Sequence, residues 1–346
     1  VKKNSTAQIF HVQPEQIQQT LATALRGWLP GNPPWSQVRR LVRNRHVQIN
    51  GNLCLDEGRR LKAKEVVKVL EHPAAPPARE DDVLIRFLDA HMVVVEKPAG
   101  MTSVRHAEER FWTAKRKQQQ PTLEDLIPRV IAKRSKTPKS GRRGDRWADP
   151  SAPIERQGRR TPPVRPVHRL DRDTSGLMVF ARTVPAERIL GAQFREHTTH
   201  RRYLAVVQGS IQAQKIETFL VRDRGDGRRG STTEAGVGKR AVTHVRPLET
   251  LGDYTLIECT LETGRTHQIR IHLSELGHPL CGDKVYNQPL FKLTRADRSG
   301  APRLALHATE LTVDHPTSGE AMTFQMDLPN DLRTFIERLR RESAKS

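Results

Sequence analysis

The sequence predicts an α+β chain: a largely antiparallel mixed sheet preceded by a small α+β domain. Three observations carry this. Apolar runs that read as strands outnumber helical ones through most of the chain, with no regular strand–helix alternation. Pro73-Ala-Ala-Pro-Pro-Ala-Arg79 is a stiff, extended linker by composition. The 346 residues are long for one domain and comfortable for two. The expected layout is a first domain over 12–72, a linker over 73–80, and a second domain over 81–340 interrupted by an insertion at 106–165.

In the first domain, residues 14–29 place Ile17, Leu21, Leu25 and Trp28 at helical spacing. Pro30-Gly-Asn-Pro-Pro34 stops that helix. Residues 35–43 predict another, with Ser36 as candidate N-cap and Val38, Leu41 and Val42 on its apolar face. Arg39, Arg40, Arg43 and Arg45 project from the other side, either as a nucleic-acid-binding rim or as a solvated face. Val47–Ile49 reads as a strand ending in the tight turn Asn50-Gly51, and Val66–Leu70 as a second strand. Two helices, a basic rim and a small sheet with an Asn-Gly turn resemble the alpha-L RNA-binding module, over roughly 12–72. Where a glycine-acid pair usually precedes the last strand, this chain has Ala63-Lys-Glu65.

Beyond the linker, Met92–Val95 is an apolar strand closed by the turn Lys97-Pro-Ala-Gly100. A short helix is expected around Leu123–Ile127. Residues 133–146 hold almost no apolar side chain and are expected to be disordered, or ordered only on a polyanion. Leu177–Ala181 is a strand and 186–194 an amphipathic helix. Residues 201–209 form a strand entered through two arginines and a tyrosine, and 210–260 alternate turns with strands. Leu256–Glu262 is a strand, and the segment after Gly264 begins a helix. Leu304–His307 and Leu311–Pro316 read as two strands, and 331–346 as a closing helix.

The formal net charge is +20, and half of it falls in residues 101–165, where 17 basic residues face 7 acidic ones. A chain this basic points to a polyanionic partner. No apolar run is long enough to span a bilayer, and no apolar signal core opens the sequence, so no membrane partner is expected. Cys54, Cys259 and Cys281 are odd in number and widely spaced, offering neither a disulfide framework nor a metal pair. A reducing, cytoplasmic compartment is the expectation. His267 and His272 lack zinc-helix spacing, so no metal site is expected. Gly236-Val-Gly-Lys239 is not a phosphate loop, because Arg240 stands where Ser or Thr is needed.

The most distinctive stretch is His-Arg-Leu-Asp-Arg-Asp-Thr-Ser-Gly at 168–176, between a proline-rich approach and an apolar run. Alone it also reads as a charged surface loop with local ion pairs. The nine-residue string resembles the catalytic motif of the RluA/RluC/RluD-type pseudouridine synthases. Three further stretches resemble the same family in the same order: 202–209, 262–273 and 304–316. The resemblance covers roughly 81–330 outside the insertion.

The resemblance implies isomerisation of uridine to pseudouridine in RNA, most simply large-subunit ribosomal RNA, without cofactor or metal. The N1–C1′ bond breaks, the base turns, and C5 joins C1′. By family position Asp171 attacks the sugar or assists proton removal from it, and Asp173 serves the structure. Arg270 supplies the cation that keeps a pocket carboxylate charged, with Arg265 as its competitor. Tyr203 stacks on the uracil and is a candidate for proton transfer at C5. Leu273 packs beneath the same base, or is ordinary helix core. Arg169 occupies the gap left by the flipped uridine, and His168 orders the motif. The partner is RNA, with ribosome precursor particles also in view and a monomer expected. The alternatives are a non-catalytic RNA-binding assembly factor and a transfer RNA pseudouridine synthase. A methyltransferase would need a glycine-rich cofactor loop after a strand, and none is credible here.

Overall fold

The structure, a computed structural model, describes residues 8–136, 162–287 and 296–344, apart from 51, 64, 72, 75–78, 106, 225–227, 233 and 235. The chain divides into two compact units, Val1–Pro76 and Pro77–Ser346. Part of the linker and residues 137–161 of the insertion lie outside the described residues, so of the stretch expected to be disordered, 133–146, only 133–136 are described, and these are helical.

The first unit holds β1 (Gln8–His11), α1 (Leu21–Trp28), α2 (Trp35–Arg43), β2 (Val47–Ile49), β3 (Asn52–Leu53) and β4 (Val66–Val69), with sheet order β1-β4-β2-β3. Leu21, Leu25, Val38 and Val42 are completely buried against the sheet. The predicted first helix is shorter than its periodicity suggests. Gln18 takes a left-handed φ of 68°, and the Thr20 hydroxyl accepts the Thr23 N–H to cap α1. Ile17 is left outside the helix and exposed. The N-cap of α2 is Pro34, not Ser36, because proline's fixed φ suits the helix entry. Asn50 makes the expected turn at φ 50°, and its side chain accepts the Val66 N–H. Glu65 is buried and takes a double hydrogen bond from Arg59, so an ion pair stands where the alpha-L module usually has a glycine-acid pair.

The second unit holds β5 (Leu84–Leu88), β6 (Met92–Lys97), α3 (Ala114–Gln119), α4 (Leu123–Lys136), β7 (Arg165–Pro166), β8 (Ser175–Ala181), α5 (Val184–Glu196), β9 (His200–Gln208), β10 (Gln214–Val221), β11 (Gly230–Thr232), β12 (Lys239–Leu251), β13 (Tyr254–Leu261), α6 (Gln268–Glu275), β14 (Leu306–Asp314), β15 (Ala321–Gln325) and α7 (Asn330–Ser343). Its 11-stranded sheet runs β11-β10-β12-β13-β9-β14-β8-β6-β5, with β15 added to β14 and β7 to β8. The β14–β8 pair is parallel and the others are antiparallel, as the α+β expectation requires.

Both faces of the sheet's middle are covered, so β6 and β8 are buried at every position. That is why Met92–Val95 in β6 and Leu177–Ala181 in β8 read as unbroken apolar runs. Helix α4 outruns its expected end at Ile127 and passes through Pro128. Proline removes one helical hydrogen bond, but Leu123, Leu126, Ile127 and Ile131 are all buried in the main core. That packing outweighs the lost bond and makes the first part of the insertion integral to the fold. The two strands expected over 304–316 are one strand, β14, with a register shift between Ala308 and Glu310.

Candidate active site

The motif 168–176 forms the turn entering β8, and three parts of the fold grip it. The fully buried Lys97, at the end of β6, donates from Nζ to the carbonyls of Pro98 and Arg172, each at 2.9 Å. Burial pushes its pKa down to about 7, against the nearby charges of Asp173 and Asp171. Ser103 Oγ donates to the Leu170 carbonyl at 2.6 Å. His168 Nε2 accepts the Val179 N–H at 3.0 Å while its ring stacks on Phe194 at 4.3 Å. Burial and the Arg201 charge lower the His168 pKa to about 3. The ring is therefore neutral and protonated on Nδ1 at neutral pH, fit to order the turn but not to shuttle protons. Gly176 lies inside β8 at φ 131°, where a Cβ would meet the Ala308 carbonyl oxygen at 2.3 Å. The close parallel approach of β14 excludes any side chain there.

These constraints aim Asp171 into a cavity of about 470 Å³ whose lining includes His168, Arg169, Tyr203, Ile269 and Arg270. Tyr203 comes from the middle of β9 and Arg270 from the first turn of α6. Arg270 Nη1 lies 3.6 Å from Asp171 Oδ2, and His267 Nε2 lies 3.8 Å from Oδ1. Burial raises the Tyr203 pKa to about 12, so its phenol is neutral at physiological pH. Arg169 is exposed at the cavity wall. Asp173 is also exposed and is not part of the lining. Arg265 serves its turn: its Nε donates to the Arg240 carbonyl, and its backbone N–H donates to Gln268.

Of the two readings of Leu273, the structure agrees with helix core. The residue is completely buried in the main core, one helical turn beyond Ile269, and Ile269 lines the cavity instead. The four arginines assigned to a rim of the first unit also separate. Arg39, Arg40 and Arg43 are exposed on α2, with Arg39 and Arg43 each 3.6 Å from Glu57. Arg45 lies beyond the helix at a left-handed φ of 68°, half-buried, with Nε donating to the Ala74 carbonyl.

Three participants escaped the sequence reading. Asp283 is buried and takes a double hydrogen bond from Arg270, Nε to Oδ2 at 2.7 Å and Nη2 to Oδ1 at 2.8 Å. Burial presses the Asp283 carboxyl toward its neutral form, but the Arg270 hydrogen bonds and charge win and hold its pKa below the ordinary range. Tyr286 lies under the Arg270 guanidinium at 4.9 Å, and its hydroxyl bonds His267 Nδ1 at 2.8 Å. His267 is the left-handed residue that opens α6, at φ 61°. Burial lowers its pKa despite Asp171 nearby. The arrangement presents one carboxylate, a fixed guanidinium and a flat neutral phenol around a space that suits a planar base.

The chain is similar to known proteins over most of its length. Residues 91–275 match the family described as RNA pseudouridylate synthase. The ribosomal large subunit pseudouridine synthase D of Zymomonas mobilis is 34% identical over 339 residues, 94% of this chain and 97% of that protein. The protein of the same name from Xanthomonas campestris is 41% identical over 290 residues, 82% of this chain and 77% of that one. A solved structure of human RNA pseudouridylate synthase domain containing 4 superposes with a TM-score of 0.53 at 21% identity, covering 74% of this chain and 92% of that one, which shows a shared fold. The chain thus belongs to the RNA pseudouridylate synthase family.

Proposed function

We propose that this protein converts specific uridines of large-subunit ribosomal RNA to pseudouridine, with Asp171 as the reacting carboxylate. The observation that carries the proposal is the meeting of Asp171, Arg270 and Tyr203 in one cavity. The names of the Zymomonas and Xanthomonas relatives support the ribosomal target.

Asp171 attacks C1′ or assists proton removal from the ribose as the N1–C1′ bond breaks. The freed uracil turns over in the cavity and C5 bonds to C1′. The proton on C5 then leaves, and N1 holds a proton in the product, so no electrons are gained or lost. Arg270, anchored by Asp283, fixes the position of the Asp171 carboxylate. Tyr203 offers a flat face to the base, and its high pKa suits stacking and hydrogen-bond donation better than base catalysis. Arg169 fills the gap in the RNA left by the flipped nucleotide, and His168 holds the turn.

Residues 12–72 act as the alpha-L RNA-binding domain through Arg39, Arg40 and Arg43, with Arg45 bracing its end. Residues 81–340 form the catalytic domain. The protein works as a cytoplasmic monomer, on free RNA or on ribosome precursor particles. The test incubates the protein separately with unmodified large-subunit RNA and transfer RNA, then digests both to nucleosides for chromatography. Pseudouridine in the ribosomal sample alone is expected. Its appearance only in transfer RNA overturns the assigned target.

A further inference from the structure

Among the described residues three arginines are buried to about the same degree, each 7% exposed. Arg105 pairs with Asp125 and Arg270 with Asp283. Arg201, at the start of β9, has no carboxylate partner among the described residues. One nitrogen, Nη2, donates to the Glu262 carbonyl at 3.3 Å, and the guanidinium sits 5.8 Å from the Phe194 ring centre. Its Nε is buried without any hydrogen-bond partner among the described residues. An unpaired buried charge is costly, so a fold that keeps one has a use for it.

Arg201 lines the cavity together with His197, Arg195 and Arg265. His197 ends α5 in a left-handed conformation at φ 62°, and its Nδ1 is likewise buried without a partner among the described residues. The acidic side chains lining the cavity are Asp171 and Glu187. Asp171 faces Arg270, and Glu187 pairs with Arg165 at 3.0 Å. This wall therefore carries cations without matching anions. Gly264 makes room for it: a Cβ there would come within 2.3 Å of Arg201 Nη1.

We propose that Arg201, His197, Arg195 and Arg265 form a subsite for one backbone phosphodiester of the RNA, adjoining the target uridine. The proposal rests on the RNA-isomerase reading and names which part of the substrate this wall holds. Arg201 and Tyr203 are two residues apart on β9 and share its buried face, while Arg202 between them turns out to Glu258 and Glu310. Two strand residues span about 7 Å, near the separation of a pyrimidine ring from the phosphate of its own nucleotide. A base against Tyr203 thus brings a phosphate to Arg201. A guanidinium with a free Nε suits the multiple oxygens of a phosphodiester.

The test combines a change in the protein with a change in the RNA. Arg201→Gln lowers kcat/KM by about 10- to 150-fold, the value of a charge-assisted hydrogen bond. It also reduces the slope of log K against log salt for RNA binding by about 0.7–0.9, one phosphate contact. The melting temperature holds or rises, because an unpaired charge has been removed. Gly264→Ala, which displaces the guanidinium, lowers kcat/KM in the same direction. In the RNA, single methylphosphonate linkages are placed along a stem-loop around the modified uridine, each preceded by a 2′-deoxyribose. One linkage next to the uridine impairs binding and turnover by the wild type and adds nothing to the Arg201→Gln defect. Additive losses, an unchanged salt slope, or a fall in melting temperature typical of a structural arginine each overturn the subsite. Pseudouridine formation by wild type on unsubstituted RNA reports separately on the isomerase reading.

Discussion

Replacing Asp283 with asparagine keeps its shape but removes the charge that anchors Arg270. Both partners are almost fully inside, with side chains 1% and 8% exposed. Asp283 Oδ1 also accepts the backbone N–H groups of Val285 and Tyr286. The variant leaves Arg270 as a buried charge without its near partner, a loss of about 3–5 kcal/mol. For a domain of this size each kcal/mol corresponds to ~2–4 °C, so the melting temperature should fall by ~6–20 °C. The freed guanidinium no longer holds Asp171 in place, and a displacement of ~1 Å costs about 100-fold in turnover. Thermal melting by circular dichroism and turnover on unmodified RNA read the two effects. The double variant Arg270→Met/Asp283→Leu should recover much of the stability while remaining inactive, separating folding from chemistry. An Asp283→Asn protein melting within ~2 °C of wild type with undiminished turnover would show that Asp283 does not position Arg270.

Other predictions follow from the same structure. Lys97 has a folded pKa near 7 against about 10.4 unfolded, so the unfolded chain binds more protons between those values. Relative to Lys97→Met, wild type should gain ~1.4 kcal/mol per pH unit as pH rises from 7 toward 10, and urea titrations showing a flat difference would contradict this. His168, His272 and His307 have pKa values lowered to about 3, 4 and 4, chiefly by burial. They are neutral in the fold, so acidification below about pH 6.5 favours the unfolded state; the three together should cost about 4–6 kcal/mol by pH 5. A melting temperature unchanged between pH 7 and pH 5 would count against their neutral burial. Exchanging Arg39, Arg40 and Arg43 for glutamine should lower the salt slope of RNA binding by about 2–3 with kcat preserved, as read by filter binding. Asp173→Asn should keep most of the turnover that Asp171→Asn loses, and equal loss from both would remove the distinction between the two carboxylates.

How much of this was readable in the chain depended on whether the signal was local. The turn at 168–176 and the strand behind it were legible because proline, glycine and apolar residues punctuate them in sequence. The alpha-beta character followed from the spacing of apolar runs. Asp283 and Tyr286 were not legible, since they lie 13 and 16 residues beyond Arg270 in a turn-rich loop that only tertiary packing brings back. Leu273 was left open between the base and the helix core although α6 follows a recognised motif. That helix is buried at every position from Gln268 to Ser274, so no periodicity distinguishes the residue facing the cavity from those in the core. The length of α4 was not legible for a different reason: Pro128 has a real local cost, but burial of Leu123, Leu126, Ile127 and Ile131 outweighs it. Arg201 looked like an ordinary basic residue entering a strand, and its isolation among buried arginines is visible only once the carboxylates are placed.

The proposed role of Asp171 in isomerising uridine in ribosomal RNA is open to carbodiimide labelling and primer extension on unmodified large-subunit RNA treated with wild-type or Asp171→Asn protein. Wild type should give new stops at defined uridines, and Asp171→Asn should give none while still binding the RNA. Stops of equal strength from both proteins would contradict the assignment of the reaction to Asp171.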